Sequence, residues 1–304
     1  MTIQVTHTHG ERITVRAGDI ELLSYVYAPD PDAFEARKPC IHPLRTLAGH
    51  QVSGYRPNDH RWHKGLQMTA SHLSGQNFWG GNCYVHGEGY LALPDRVGSM
   101  RHDGFPVLDV EADRLSLAED LTWIENGGQE WARERRGITV HLVDEEAGSY
   151  AVDWSIRLTN TRAEPLHFGS PTTAGREMAG YTGLQWRGPR DFTGCAVFGP
   201  GDEKDAGELM GTQGPWLAFT AEHDDVDAHS TLVFAHAPGN LDAIHASHWF
   251  VRSEPIPTVA FSWAFFEEFE LAPGASFDYR YRVVVADGAW DRDRVATHLK
   301  GLSW

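Results

Sequence analysis

Apolar side chains recur at every second residue along several stretches of this chain, and that spacing constrains the fold more than any other feature. In Val152, Trp154, Ile156 and Leu158 the apolar residues share one face of an extended chain, while Asp153, Ser155, Arg157 and Thr159 take the other. The alternation returns at Ile138, Val140 and Leu142, and at Phe277, Tyr279, Tyr281, Val283 and Val285. Ala17-Gly18-Asp19, Glu125-Asn126-Gly127-Gly128, Glu146-Ala147-Gly148 and Pro273-Gly274 supply turns between such runs. Helical spacing is confined to the last dozen residues, where Asp291 is placed to cap a short helix carrying Val295, His298 and Leu299. The expectation is an all-β chain: a large two-sheet antiparallel sandwich with little helix, residues 1–304 forming one domain.

Charge and cysteine usage exclude several function classes. Lys and Arg number 26 against 42 Asp and Glu, a net charge of −16, and no cluster of five or more basic residues occurs. Such a chain does not attract phosphate backbones or anionic lipid by charge, so neither nucleic acid nor membrane is expected as a partner. No apolar run approaches the ~18 to 20 residues that span a bilayer. The stretch Met1 to Arg16 is polar rather than built like a signal peptide, and a cytoplasmic location is expected. Cys40, Cys83 and Cys195 are odd in number and form no CxxC, so neither a disulfide framework nor a thiolate zinc site is indicated. The motifs of serine hydrolases, nucleotide-binding loops and HExxH metalloproteases are all absent.

Histidine is the informative residue. The stretch from Pro39 to Gly89 is irregular, glycine-rich and loaded with His, Trp, Asn and Arg, which reads as a functional loop region on a β scaffold. Its densest part is Arg56-Pro57-Asn58-Asp59-His60-Arg61-Trp62-His63-Lys64-Gly65, preceded by Ile41-His42-Pro43-Leu44-Arg45. In one helical turn or a tight loop, His60 and His63 share a face and converge on a metal, a proton-transfer site or a sugar hydroxyl. Asp59 is placed to accept from an imidazole N–H and set its tautomer. The same two rings would suit a divalent metal ion, with His42, His86 or His248 as third ligand; no other cofactor is indicated.

A second constellation runs from Gly175 to Arg190, where Glu177, Tyr181, Trp186 and three arginines sit among glycines. That composition suits stacking on a pyranose face and binding its hydroxyls, although a bulged strand with core aromatics would use the same residues.

Lys38-Pro39 through Ile41-His42-Pro43-Leu44, then Pro57 to Gly65, then Gly180-Tyr181-Thr182-Gly183-Leu184-Gln185-Trp186-Arg187, resemble the PmoA-like family of uncharacterised bacterial proteins. The resemblance covers nearly the whole chain, and Gly274 with Tyr279-Arg280-Tyr281-Arg282 continues it. One departure is Trp62, at a position where the family tends to carry another His. The resemblance implies carbohydrate metabolism and a galactose-mutarotase-like supersandwich. It does not extend to methane oxidation, an integral-membrane activity.

Together these readings predict an enzyme acting on a sugar or an oxidised sugar derivative, as an epimerase, lyase or hydrolase, by acid–base chemistry that a metal could assist. His60 and His63 would be acid, base or metal ligands, Asp59 would orient one of them, and Glu177 would be the second titrating group. His42, Arg45, Lys64, Tyr181, Trp186, Arg187 and His248 would bind substrate. Two other classes fit the same residues: a noncatalytic sugar-binding or accessory protein, and a metal-dependent small-molecule oxygenase holding iron with His60, His63 and Glu177.

Overall fold

Two eight-stranded sheets, antiparallel throughout, carry the chain. The first runs Ile3–Thr8, Arg12–Ala17, Ile20–Val26, Cys40–Leu44, Leu66–Thr69, Gly183–Arg187, Thr258–Ser262, His248–Arg252. The second runs Ala196–Phe198, Trp216–Glu222, His229–His236, Ser276–Asp287, Ser149–Asn160, Glu130–Asp144, Leu115–Ile124, Ser99–Val110. This is a computed structural model, and it describes residues 2–304 except Glu203, Lys204, Asp242, Ala243, Ile244 and Ala246.

Alternation builds the inner faces. Val152, Trp154, Ile156 and Leu158 are buried, and Leu66, Met68, Leu184, Trp186 and Phe261 of the first sheet join them in one cluster. Burying each such side chain contributes roughly 1.5–3 kcal/mol, so the facing sheets are the main source of stability. The outward Asp153 receives two hydrogen bonds from Arg282, at 2.6 and 2.8 Å. Leu142, expected on the inner face, is instead 40% exposed, because the pairing shifts register between His141 and Asp144 and Leu142 takes a φ of 55°.

The stretch 39–89 also differs from the expected long loop. It contributes Cys40–Leu44 and Leu66–Thr69 to the middle of the first sheet. Every side chain of Leu66–Thr69 is buried, and its alternation of Leu66 and Met68 with Gln67 and Thr69 is only four residues long, too short a run to stand out in the sequence.

Between the sheets lies a polar network. Arg136 donates to Glu134 at 2.7 and 3.0 Å and to the Tyr25 hydroxyl at 3.1 Å. Tyr25 also donates to Glu119, which receives His102 at 2.7 Å. At the C-terminus Asp291 caps the helix Arg292–Lys300 by accepting from the Arg294 N–H at 2.8 Å. Its Val295 packs with Trp290 on the outer face of the second sheet, against Ala218, Val233, Val284 and Ala286. No helix among the described residues is long and apolar enough to cross a membrane.

Candidate functional site

Two successive turns shape the loop after Arg56. The His60 N–H bonds Pro57 O at 2.9 Å, the His63 N–H bonds His60 O at 3.0 Å, and the Arg56 N–H closes the loop on His63 O at 2.8 Å. Pro57 fixes the entry φ and Asn58-Asp59 suit the turn that follows. The result sets the rings of His60 and His63 5.0 Å apart, tilted by 33°. Trp62 lies against Gly80 and Gly81; Gly81 has a φ of +71°, and a Cβ there would overlap the indole.

Beneath the loop is a buried ion cluster. Glu35 accepts from Arg56 at 2.8 and 2.7 Å and stands 3.7 Å from Lys64 Nζ, which also donates to the Glu35 carbonyl at 3.2 Å. Lys38 donates to Trp79 O at 2.7 Å. Burial, together with the neighbouring Lys64, holds the Lys38 amine well below its ordinary pKa. These residues brace the loop from inside.

The loop roofs a cavity of about 370 Å³, within the range of small-molecule sites. Asp59, His60 and His63 line one part of it. His60 Nδ1 lies 3.1 Å from Asp59 Oδ2, close but poorly aligned for a hydrogen bond, and Arg190 donates to Asp59 Oδ1 at 2.9 Å. Burial acts to raise the Asp59 pKa, but its backbone N–H, His60 and Arg190 outweigh that and the carboxyl sits below its ordinary value. His63 is 5% exposed, and its Nδ1 has no partner. Burial first, then the charges of His60, Arg187 and Lys38, push its pKa well below 6.5, so this imidazole is neutral at neutral pH.

Trp62, Trp79, Phe250 and Tyr181 supply apolar wall. Trp79 stands between the two polar ends of the cavity, its ring 5.5 Å from His63 and 4.5 Å from Tyr181. There the Tyr181 and Tyr90 hydroxyls are 2.8 Å apart, and Arg176 donates to Tyr90. Burial, reinforced by Tyr90, raises the Tyr181 pKa well above 10, so its hydroxyl keeps its proton.

The outer face of the first sheet lies beside this space. Gln67 donates to Gln185 at 2.9 Å and to Trp62 O at 3.0 Å, and Gln185 donates to Thr258 at 2.9 Å. These polar residues alternate with Leu66, Leu184, Trp186, Val259 and Phe261, which face the core. On the last strand Trp249 and Val251 are core while Phe250 and Arg252 line the cavity.

Of the residues given a catalytic, metal-binding or substrate-binding role from the sequence, Asp59, His60, His63 and Tyr181 meet at the cavity, and the others do not line it. His42 stacks on Tyr55 at 4.6 Å and bonds Ser53 at 2.9 Å; burial, then Arg45, lowers its pKa to about 4. Arg45 is 3.9 Å from Glu21. Lys64 is fully buried under the loop. Trp186 packs between the sheets, its ring 5.0 Å from Phe219. Arg187 is buried beside Thr258, its register partner. His248 is 5.2 Å from the Phe266 ring, and His86 lies against Gly175. Glu177 is exposed on the loop that carries Arg176. Among the described residues no group of three His, Cys, Asp or Glu side chains is arranged to hold a metal ion.

Sequence reading did not find Trp79, Tyr90, Phe250, Arg252 or Thr258. Only Arg252 carried a usable signal, as a charged residue flanking the apolar run Trp249-Phe250-Val251.

Comparison with solved structures returns galactose-mutarotase-like and other carbohydrate-related proteins at low similarity. A polysaccharide lyase matches at 10% identity and a TM-score of 0.35, covering 98% of this chain and 34% of the lyase. A putative kojibiose phosphorylase from human microbiome matches at 13% identity and 0.32, covering 69% and 26%. A galactose 1-epimerase from Lactobacillus acidophilus NCFM matches at 12% identity and 0.37, covering 95% and 100%. The chain thus spans about a third of the lyase and a quarter of the phosphorylase, and likenesses this weak bring no substrate or reaction with them. No curated protein matches. The family model of unknown function DUF6807 matches residues 12–300, and the chain belongs to that family.

Proposed function

We propose that this chain is a carbohydrate-processing enzyme that uses acid–base chemistry in the cavity beneath His60 and His63. The observation that carries this reading is the pairing at the cavity of two unlike histidines, one beside a carboxylate and one held neutral, with the Tyr181 hydroxyl, which keeps its proton, hydrogen-bonded to Tyr90 past Trp79. His60, with the Asp59 carboxylate 3.1 Å from its Nδ1, takes the proton. His63 stays uncharged and hydrogen-bonds a substrate oxygen through its free ring nitrogen. Tyr181, backed by Tyr90 and Arg176, donates to a second oxygen. Glu177, outside the cavity, has no part in this scheme. Trp62, Trp79 and Phe250 offer faces on which a sugar ring stacks.

Proton removal next to a carbonyl in an oxidised sugar, giving epimerisation or elimination, suits this set best, since it needs one base and neutral donors to the developing oxyanion. The sequence resemblance to PmoA-like proteins points toward carbohydrate metabolism as well. The test is proton NMR in deuterated water with aldoses, disaccharides and their keto derivatives. Deuterium uptake at carbon, anomer exchange or bond cleavage supports the reading. Tight sugar binding without any of these would make the chain a noncatalytic sugar-binding protein.

A further inference from the structure

Three arginine side chains are almost fully buried: Arg136, Arg187 and Arg282. Arg136 is held by Glu134 and Arg282 by Asp153, each through paired hydrogen bonds. Arg187, 1% exposed, has no carboxylate within salt-bridge distance among the described residues, and its Nε and Nη1 have no hydrogen-bond partner. Asp59 is the carboxylate whose charge reaches Arg187, but Arg190 and His60 flank its oxygens. A buried guanidinium with free donors is a costly feature unless something bonds it.

Arg187 is not isolated. It pairs in register with Thr258, and Thr258 pairs in register with Arg252 on the next strand, so the three residues form a row across one sheet face. Thr258 and Arg252 line the cavity. The Arg252 guanidinium lies 5.2 Å over Phe250, and Arg176, its cationic neighbour, is spent on the Tyr90 hydroxyl. Neither Arg176 nor Arg252 forms an ion pair among the described residues. In a chain with 42 acidic residues against 26 basic ones, three arginines gathered without one carboxylate partner are not accounted for by internal pairing.

We infer that the row Arg187–Thr258–Arg252, with Arg176 beside it, is a subsite for an anionic group, a carboxylate or a phosphate, on the sugar. Guanidinium donors on both sides of a hydroxyl match the oxygens of such a group. The word sugar rests on the proposed function; the anion subsite does not.

The test is calorimetric titration of the full chain with D-glucuronate, D-glucose 6-phosphate, D-glucose and the non-sugar carboxylate benzoate. It is run on the wild type, Arg252→Gln, Arg252→Lys and Arg187→Gln, with the melting temperature of each recorded. At least one anionic sugar should bind about tenfold or more tighter than glucose. Arg252→Gln should remove that preference, bringing the anionic sugar to the level of glucose, and Arg252→Lys should restore part of it. Glucuronate above the phosphate identifies a carboxylate, and the reverse order a phosphate; both support the subsite. Should Arg187→Gln fail to fold, the half-buried Arg252 variants still decide. Arg252-dependent benzoate binding with no sugar bound would keep the subsite and overturn the carbohydrate reading. Equal binding of glucose and both acids, anion binding indifferent to Arg252→Gln, or no anion bound by folded protein would overturn the subsite.

Discussion

His60 and His63, identical side chains with rings 5.0 Å apart, are made chemically unlike chiefly by burial. His60 is 39% exposed and sits beside Asp59, whereas His63 is 5% exposed and is stripped of solvent. A charge on His63 would be unsolvated and would face His60 and Arg187, so the His63 imidazole stays neutral.

Neutral buried imidazoles make stability depend on pH. In the unfolded chain a histidine takes up its proton near pH 6.5. In the folded chain burial lowers His236 to about 3, burial and then Arg45 lower His42 to about 4, and His63 lies well below 6.5. Between those values the unfolded state binds more protons, so stability is complete above pH 6.5 and falls as the pH drops from there toward 3. Urea unfolding between pH 8 and 5 should show the loss beginning near 6.5, by about 1.4 kcal/mol per pH unit for each such histidine. A flat profile across that range would mean that these rings are not buried neutral.

The ion cluster under the loop should be intolerant of losing its one carboxylate. Glu35→Gln leaves Arg56 and the fully buried Lys64 without their counter-charge. The expected cost is about 3–5 kcal/mol. Chemical denaturation measures it, and a loss below about 1 kcal/mol would place the cluster nearer to water than the structure does.

Gly81→Ala tests how the roof is seated. The φ of +71° strains any side chain, and the new Cβ meets Trp62. The variant should lose about 1–3 kcal/mol and shift its tryptophan emission as Trp62 leaves its seat. Unchanged stability and emission would contradict the close approach of Gly81 to that ring.

The fold was legible where strands are long and one-sided. Val152 to Leu158 announces itself because alternation runs through a strand of 12 residues, Ser149–Asn160. Leu66–Thr69 does not, since its alternation lasts only four residues within a stretch of turns and glycines. The shift that exposes Leu142 is a property of the pairing with Ser149–Asn160 and leaves no mark on its own residues. The His60–His63 pair was legible because its geometry is local, set by two successive four-residue turns. Arg187, Thr258 and Arg252 were not, because strand register alone brings Arg187 beside a residue 71 positions later in the chain.

Deuterium incorporation shows whether His60 acts as a base. The wild type and His60→Ala are incubated with the same keto-sugar panel in deuterated water and followed by proton NMR. The wild type should exchange or turn over at least one panel member, and His60→Ala should lose about 10²–10⁴-fold of that rate at an unchanged melting temperature. Turnover that survives in His60→Ala at the wild-type rate would remove His60 from the chemistry.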